Sequence, residues 1–244
     1  MTLRASLMRS AARKRVPTGN PSHLLLHGDG QNNGAEIVDS STYARTISRT
    51  GVVTSTAQSK FGGASLLFSG TSQHLTAPSS DDWHIGNGDF TVEAWVYLTG
   101  SPITEHRPIA VHDNINVTRG WLFLCDKDNG GRLNFTLWTS NSTFVRALSP
   151  SAPALNQWLH VAAARAGNTL RLFIDGVVVA TTDITGATAQ NPSQPLAIGT
   201  LWLNGAPIAT TTWRWQGHMD ELRITKGFAR YTGNFTPPDA AFTE

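Results

Sequence analysis

"QGHMDELRIT", residues 216–225, decides how this chain is read, because it places two acids side by side inside what has the composition of a strand. With the two-residue side-chain period of a strand, His218, Asp220, Leu222 and Ile224 fall on one face, and Met219, Glu221 and Arg223 on the other. Asp220 is thereby expected among core-type residues. An isolated buried carboxylate costs far more than an ordinary polar group. Asp220 therefore needs a partner, and a catalytic proton, a metal ion or a local hydrogen bond would each serve.

Outward from this stretch, the chain consists of short apolar segments separated by turn residues, the pattern of a sandwich or barrel. Clear cases are "HLLLH" (23–27), "ASLLFSG" (64–70), "DFTVEAWVYL" (89–98), "GWLFLCD" (120–126), "RLNFTLWTS" (132–140) and "WLHVAAAR" (158–165). In "LRLFIDGVVVA" (170–180), Asp175-Gly176 sits between runs rich in β-branched and aromatic residues, which predicts a hairpin with a two-residue type I′ turn. In "FLCDKDNGGRLNF" (123–135), an acidic, glycine-rich loop joins two apolar runs, so Asp126 and Asp128 read as turn formers. The 89–98 segment alternates Phe90, Val92, Ala94, Val96 and Leu98 against Thr91, Glu93, Trp95 and Tyr97. Both sets are substantially apolar, which suits a central strand covered on both sides.

The 244 residues suffice for one large β domain, and folding should bury roughly 70% of the unfolded surface. The single cysteine, Cys125, excludes an intramolecular disulfide and reads as a small buried hydrophobe. Net charge is only +2, but Arg4, Arg9, Arg13, Lys14 and Arg15 stand in the first fifteen residues with no acid, leaving 14 bases against 17 acids in the rest. No apolar run follows them as a secretion signal requires, and none approaches a membrane span. The expectation is a protein made in the cytoplasm and not secreted by a signal peptide. "VPTGNPS" (16–22), with two prolines and a glycine, separates residues 1–22 as a basic N-terminal arm from a single domain at 23–244.

In order, "LLLHGDG" (24–30), "KFGGASLLFSG" (60–70) with "HLTAP" (74–78), "DFTVEAWVYL", "WLHVAAAR", "LRLFIDGVVVA", "LAIG" (196–199) and "WQGHMDELRITKGFARYTGNFTPP" (215–238) resemble the concanavalin A-like lectin/glucanase superfamily, in its laminin G-like branch. The last phrase is similar to the end of laminin G-like domains in structural proteins of tailed bacteriophages. The resemblance implies an all-β fold, a two-sheet antiparallel jelly-roll sandwich. It also implies a structural calcium where the first strand region, a glycine turn and the last strand meet, held by oxygen ligands. The matching positions are Asp29, Gly62 or Gly63, and Asp220. The competing reading of Asp220 is a bulge carboxylate that accepts backbone amides.

Catalysis finds no support. Glycoside cleavage needs two suitably spaced carboxyls, and a strand would present them at i, i+2 and i+4; Asp81-Asp82 and Asp220-Glu221 are adjacent instead, pointing to opposite faces of any regular strand. Glu93 stands alone in its segment and reads as a solvated or hydrogen-bonded strand residue. The histidines show no zinc spacing, and "GDGQNNG" (28–34) is no phosphate loop. Glycan binding would use aromatics stacked on sugar faces, with Trp213 and Trp215 sharing one face of an extended stretch, although a single tryptophan is more often core. The expected function is a non-enzymatic virion protein of a tailed phage, a capsid decoration or tail-associated subunit, homo-oligomeric or lattice-bound, whose basic arm docks on other virion proteins. The alternative is a module that binds cell-surface glycans for host attachment; a polysaccharide-degrading enzyme is the third reading.

Overall fold

The computed structural model describes residues 21–208 and 212–244. The strands in chain order are β1 (Leu24–Leu26), β2 (Ser48–Thr50), β3 (Val53–Ser55), β4 (Ser65–Ser69), β5 (His74–Ala77), β6 (Phe90–Leu98), β7 (Arg107–Ile115), β8 (Thr118–Asp126), β9 (Arg132–Trp138), β10 (Phe144–Leu148), β11 (Trp158–Ala166), β12 (Thr169–Ile174), β13 (Val177–Asp183), β14 (Leu196–Ile198), β15 (Trp202–Leu203), β16 (Ala206–Pro207) and β17 (Gln216–Lys226). The first sheet has the order β13-β12-β11-β6-β17-β4-β3, with β1 also paired to β17. The second has the order β10-β9-β8-β7-β14-β5-β2, with the β15–β16 hairpin attached to β7. The chain is thus an all-β sandwich of two antiparallel sheets, as expected.

Alternation explains why these sheets face each other. Phe90, Val92, Ala94, Val96 and Leu98 of β6 meet Trp121, Phe123 and Cys125 of β8 and Leu133, Phe135 and Leu137 of β9 in one core. Burial pushes the Cys125 thiol up to about 12, so it is an inert packing group. The hairpin between β12 and β13 has positive φ at both Asp175 (48°) and Gly176 (75°), the backbone a type I′ turn demands. Asp126 accepts a bond from the amide of Asp128 (3.2 Å) and closes the 127–129 turn, which ends on left-handed Gly130.

Strict alternation fails in β17. Its register against β6 shifts between Asp220, opposite Trp95, and Arg223, opposite Glu93, and Glu221 takes a positive φ of 53°. This bulge inserts a residue and exchanges the faces. Met219, Leu222 and Ile224 enter the core between the sheets. Asp220 and Glu221 both lie on the outer side of the first sheet and do not point to opposite faces. Asp220 is buried there because the chain covers that side too.

The covering comes from the segment after β17. Phe242 packs with Leu25 and Trp95, and Tyr231 and Phe235 pack on Ala162, Ala164 and Phe173. Tyr231 and Phe235 stack at 3.6 Å between ring centres. Phe235 also donates its amide to the Gly176 carbonyl (2.9 Å), where a side chain on Gly176 would collide with the Phe235 backbone. Over the second sheet, the β15–β16 hairpin lays Trp202 and Ile208 on Leu122, Leu124 and Val111, leaving part of that outer face open. Among the described residues, no helix is long and apolar enough to cross a membrane.

Candidate functional site

Among the described residues, three polar arrangements outside the main core bear on the expected sites. The first joins the turn after β1, the 58–63 loop and the bulge of β17. Asp220 Oδ2 accepts the amides of Lys60 (2.9 Å) and Phe61 (3.2 Å), whereas Asp220 Oδ1 is buried with no hydrogen-bond partner. Gly62 has a φ of 61°, and a Cβ there would overlap the Asp29 carboxylate, so Asp29 lies directly over the glycine. Burial, then the charges of Glu221 and Asp29, push Asp220 up to about 7 against the pull of the two amides. Glu221 is committed elsewhere, to His27 Nδ1 (2.8 Å) and the amide of Phe242 (2.7 Å). The structure places Asp29, Gly62 and Asp220, the positions the resemblance implies, near one another; one Asp220 oxygen accepts two amides and the other is orphaned. An orphaned buried carboxylate oxygen beside a second carboxylate suits a hard cation with oxygen ligands.

The second arrangement surrounds Glu93, on the outer face of β6. It is fully buried and central to a network: Arg223 Nε donates to Oε1 (2.8 Å), Tyr231 donates its hydroxyl to Oε2 (2.7 Å), and His160 Nε2 lies 3.1 Å from Oε2. Burial opposes ionisation, but His160, Arg223 and Tyr231 outweigh it and hold the Glu93 carboxyl below its ordinary range. Of the two readings of Glu93, solvated or hydrogen-bonded, the structure shows the second, and the bond from Tyr231 ties the covering segment to the sheet.

The third is a cleft of about 290 Å³ on the open part of the second sheet's outer face. Its floor is Leu122 and Leu124 of β8 with Asn134 and Thr136 of β9; its walls are Trp138, Phe144 and Arg146 on one side and His106 with Trp213 on the other. Trp213 stacks on the His106 ring at 3.7 Å and 11°, held by a parallel bridge between the two backbones. Arg119 lies over the Trp138 ring at 3.8 Å, its Nε bonded to Asp113 (2.9 Å). Asp126 Oδ2 accepts the side-chain amides of Asn129 and Asn134 (2.7 Å each). Burial disfavours its charge, but the neighbouring His106, Asn134 and Asn129 outweigh it and keep the carboxyl below its usual range.

The cleft accepts one of the two tryptophans singled out from sequence. Trp213 borders it, half-buried; Trp215 is 0% exposed in the core between the sheets and offers no face to a ligand. The physical reason is that the 213–215 stretch precedes β17 and passes from the outer face of the second sheet into the core, so the two rings do not share a face. Sequence reading notes Trp138, with Trp121 and Trp202, only as a tryptophan bordering a loop, and it missed His106, Phe144 and Arg146. The available signal was the alternation in β9, where polar Asn134 and Thr136 oppose the core residues Leu133, Phe135 and Leu137. The arm residues Arg4, Arg9, Arg13, Lys14 and Arg15 lie outside the described residues.

Two antiparallel sheets with a polar, aromatic-walled cleft on one outer face make this a β-sandwich. The family model described as the concanavalin A-like lectin/glucanases superfamily, of laminin G type, matches residues 69–228, and the chain belongs to that superfamily. No curated protein matches the sequence. Among solved structures, the binding domain of Paraclostridial Mosquitocidal Protein 1 is similar with a TM-score of 0.64 at 12% identity, over 85% of this chain and 49% of that one. The receptor-binding domain of botulinum neurotoxin D gives 0.61 at 13%, over 88% and 50%. The botulinum neurotoxin serotype D ligand-binding domain in complex with N-acetylneuraminic acid gives 0.60 at 13%, over 89% and 49%. This chain spans about half the length of these structures, and at such identities the likeness is one of fold.

Proposed function

We propose that the chain is a non-enzymatic glycan-binding domain whose ligand lies in the cleft between Trp213 and Trp138. The observation that carries this reading is the cleft's composition: aromatic walls suited to the apolar faces of a sugar, above a floor of Asn134 and Thr136 and beside the side chains of Asp126 and Arg146 that suit hydroxyls and charged substituents. A non-enzymatic role is supported by Asp126, whose Oδ2 is taken up by two asparagine side-chain amides, leaving that oxygen no proton to give a leaving group. The neurotoxin domain solved with N-acetylneuraminic acid makes sialylated glycans the first probes. A glycan array followed by calorimetry tests the idea. Trp138→Ala and Trp213→Ala are each expected to weaken binding by about tenfold or more with the fold intact. A parent protein that binds no glycan, or variants that bind equally well, would overturn it.

The finer reading is display on a tailed-phage particle, in the head or on the tail, with the domain carried outward and residues 1–22 docking on other virion proteins. It is supported by the phage-like phrase at 215–238 and by five bases without an acid among the first fifteen residues. The protein is then expected to co-migrate with assembled particles and to lose that association when residues 1–20 are removed; unchanged incorporation would sink the anchor. For the rim, we propose a structural calcium held by Asp29 and Asp220, with Gly62 leaving room for the Asp29 carboxylate. The ion's contribution would be to satisfy the orphaned Asp220 oxygen.

A further inference from the structure

His106, Asp126 and Asp128 come together at one end of the cleft although the first is 20 residues from the second in sequence. One donor atom from each lies within 4.8 Å of the others. His106 enters from the residue before β7, Asp126 from the end of β8, and Asp128 from the turn that Asp126 closes. His106 is 5% exposed, and its Nδ1 is a buried ring nitrogen without a hydrogen-bond partner. That nitrogen is nevertheless aimed at the cluster: it sits 3.3 Å from Asp126 Oδ1, out of line for a hydrogen bond. Nε2 lies 3.5 Å from Asp128 Oδ2. In the tautomer that carries its proton on Nε2, Nδ1 offers its lone pair on the side of Asp126.

Donor spacing identifies a use for that lone pair. Nitrogen and oxygen ligands about 2.0–2.2 Å from a tetrahedral ion stand roughly 3.3–3.5 Å apart, and the Nδ1–Oδ1 separation of 3.3 Å fits one edge of such a site. Trp213, stacked on the ring, fixes its plane. The amides of Asn129 and Asn134 hold Oδ2 of Asp126, and Oδ1, which also accepts the Asp128 amide (3.2 Å), is the oxygen on the His106 side. This is the supporting layer that orients a ligating carboxylate. Asp128 is 73% exposed in its side chain and free to swing onto an ion.

We propose that His106, Asp126 and Asp128 bind a divalent transition-metal cation, zinc being the ion whose tetrahedral preference the donor set fits best. One imidazole and two carboxylates favour such an ion over calcium, which takes oxygen ligands alone. A fourth position faces the cleft and takes water or a ligand oxygen. The site is separate from the calcium position beside β17, and it stands whether or not the cleft binds sugars.

The test uses the full chain, stripped with chelator and titrated with zinc alone by calorimetry and with cobalt(II) alone by visible absorption. The expected result is saturable binding of about one ion per chain with the intense visible bands of tetrahedral cobalt. Asp128→Asn, at an exposed position that leaves folding intact, weakens it by about tenfold or more; His106→Gln abolishes it, and Asp220→Asn leaves it unchanged. Absence of saturable binding, or equal binding by Asp128→Asn and the parent, overturns the site. The exposed variant decides the matter should His106→Gln fail to fold.

Discussion

Glu93→Ala is expected to lower the unfolding free energy by about 3–5 kcal/mol, the usual result of removing one partner from a buried ion pair. The carboxylate meets Arg223, His160 and Tyr231 on a strand at the centre of the first sheet, so its loss leaves a buried guanidinium and a buried phenol without their acceptor. Urea unfolding measures this, and limited proteolysis should cut the 228–244 segment sooner because Tyr231 loses its tether. The pH dependence has a definite sign. The folded state holds Glu93 below its ordinary value of 4.5, so the stabilisation is fully present above that value and is lost as pH falls through the lower folded one. Parent and variant should therefore differ most near neutrality and converge in acid. A loss under about 1 kcal/mol would show that packing on Ala162, Ala164 and Phe173, and not the network, holds the covering segment.

On the proposed calcium reading, chelator-treated protein should gain roughly 5–10 °C in Tm when calcium is added to about a hundred times its Kd. That follows from about 2.7 kcal/mol of linkage and about 2–4 °C per kcal/mol for a chain of this size. Asp220→Asn removes the orphaned charge and should abolish the increment. Gly62→Ala should do the same by displacing Asp29, since its Cβ would occupy the carboxylate's place. Asp128→Asn, in the cleft, should leave the calcium response intact. An unchanged Tm with no calcium in native mass spectrometry would reduce Asp220 to a bulge carboxylate bonded to Lys60 and Phe61.

What could be read in advance follows from how local each cause is. The β6 alternation and the Asp175-Gly176 turn are dictated by neighbours within a few residues, and both appear in the structure where the sequence places them. The β17 bulge is different: Glu221 adopts a left-handed backbone that its side chain does not favour, imposed by pairing with β6, so strict alternation assigned Leu222 and Ile224 to the face of Asp220. The shared face expected of Trp213 and Trp215 is lost for a related reason, because the regular strand begins only at Gln216. The cleft lay further from view still. His106 and Trp213 touch across more than a hundred residues, and only sheet register brings them to Asp126 and Trp138. Asp29, Gly62 and Asp220 were reached by resemblance to a family, and the orphaned oxygen of Asp220 is visible only in three dimensions.

The last long strand bears on how the molecule is made. β17 lies between β6 and β4 in the first sheet and also pairs with β1. Residues 216–226 thus close contacts with partners that leave the ribosome up to about two hundred residues earlier. Topologies dominated by such distant pairings fold slowly. During synthesis β6 and β4 wait with open edges and an unfilled place between them, a state prone to associate with other chains. Completion of the first sheet therefore waits until residues 216–226 have emerged, and a chain cut before Gln216 leaves β1, β4 and β6 without the strand they share.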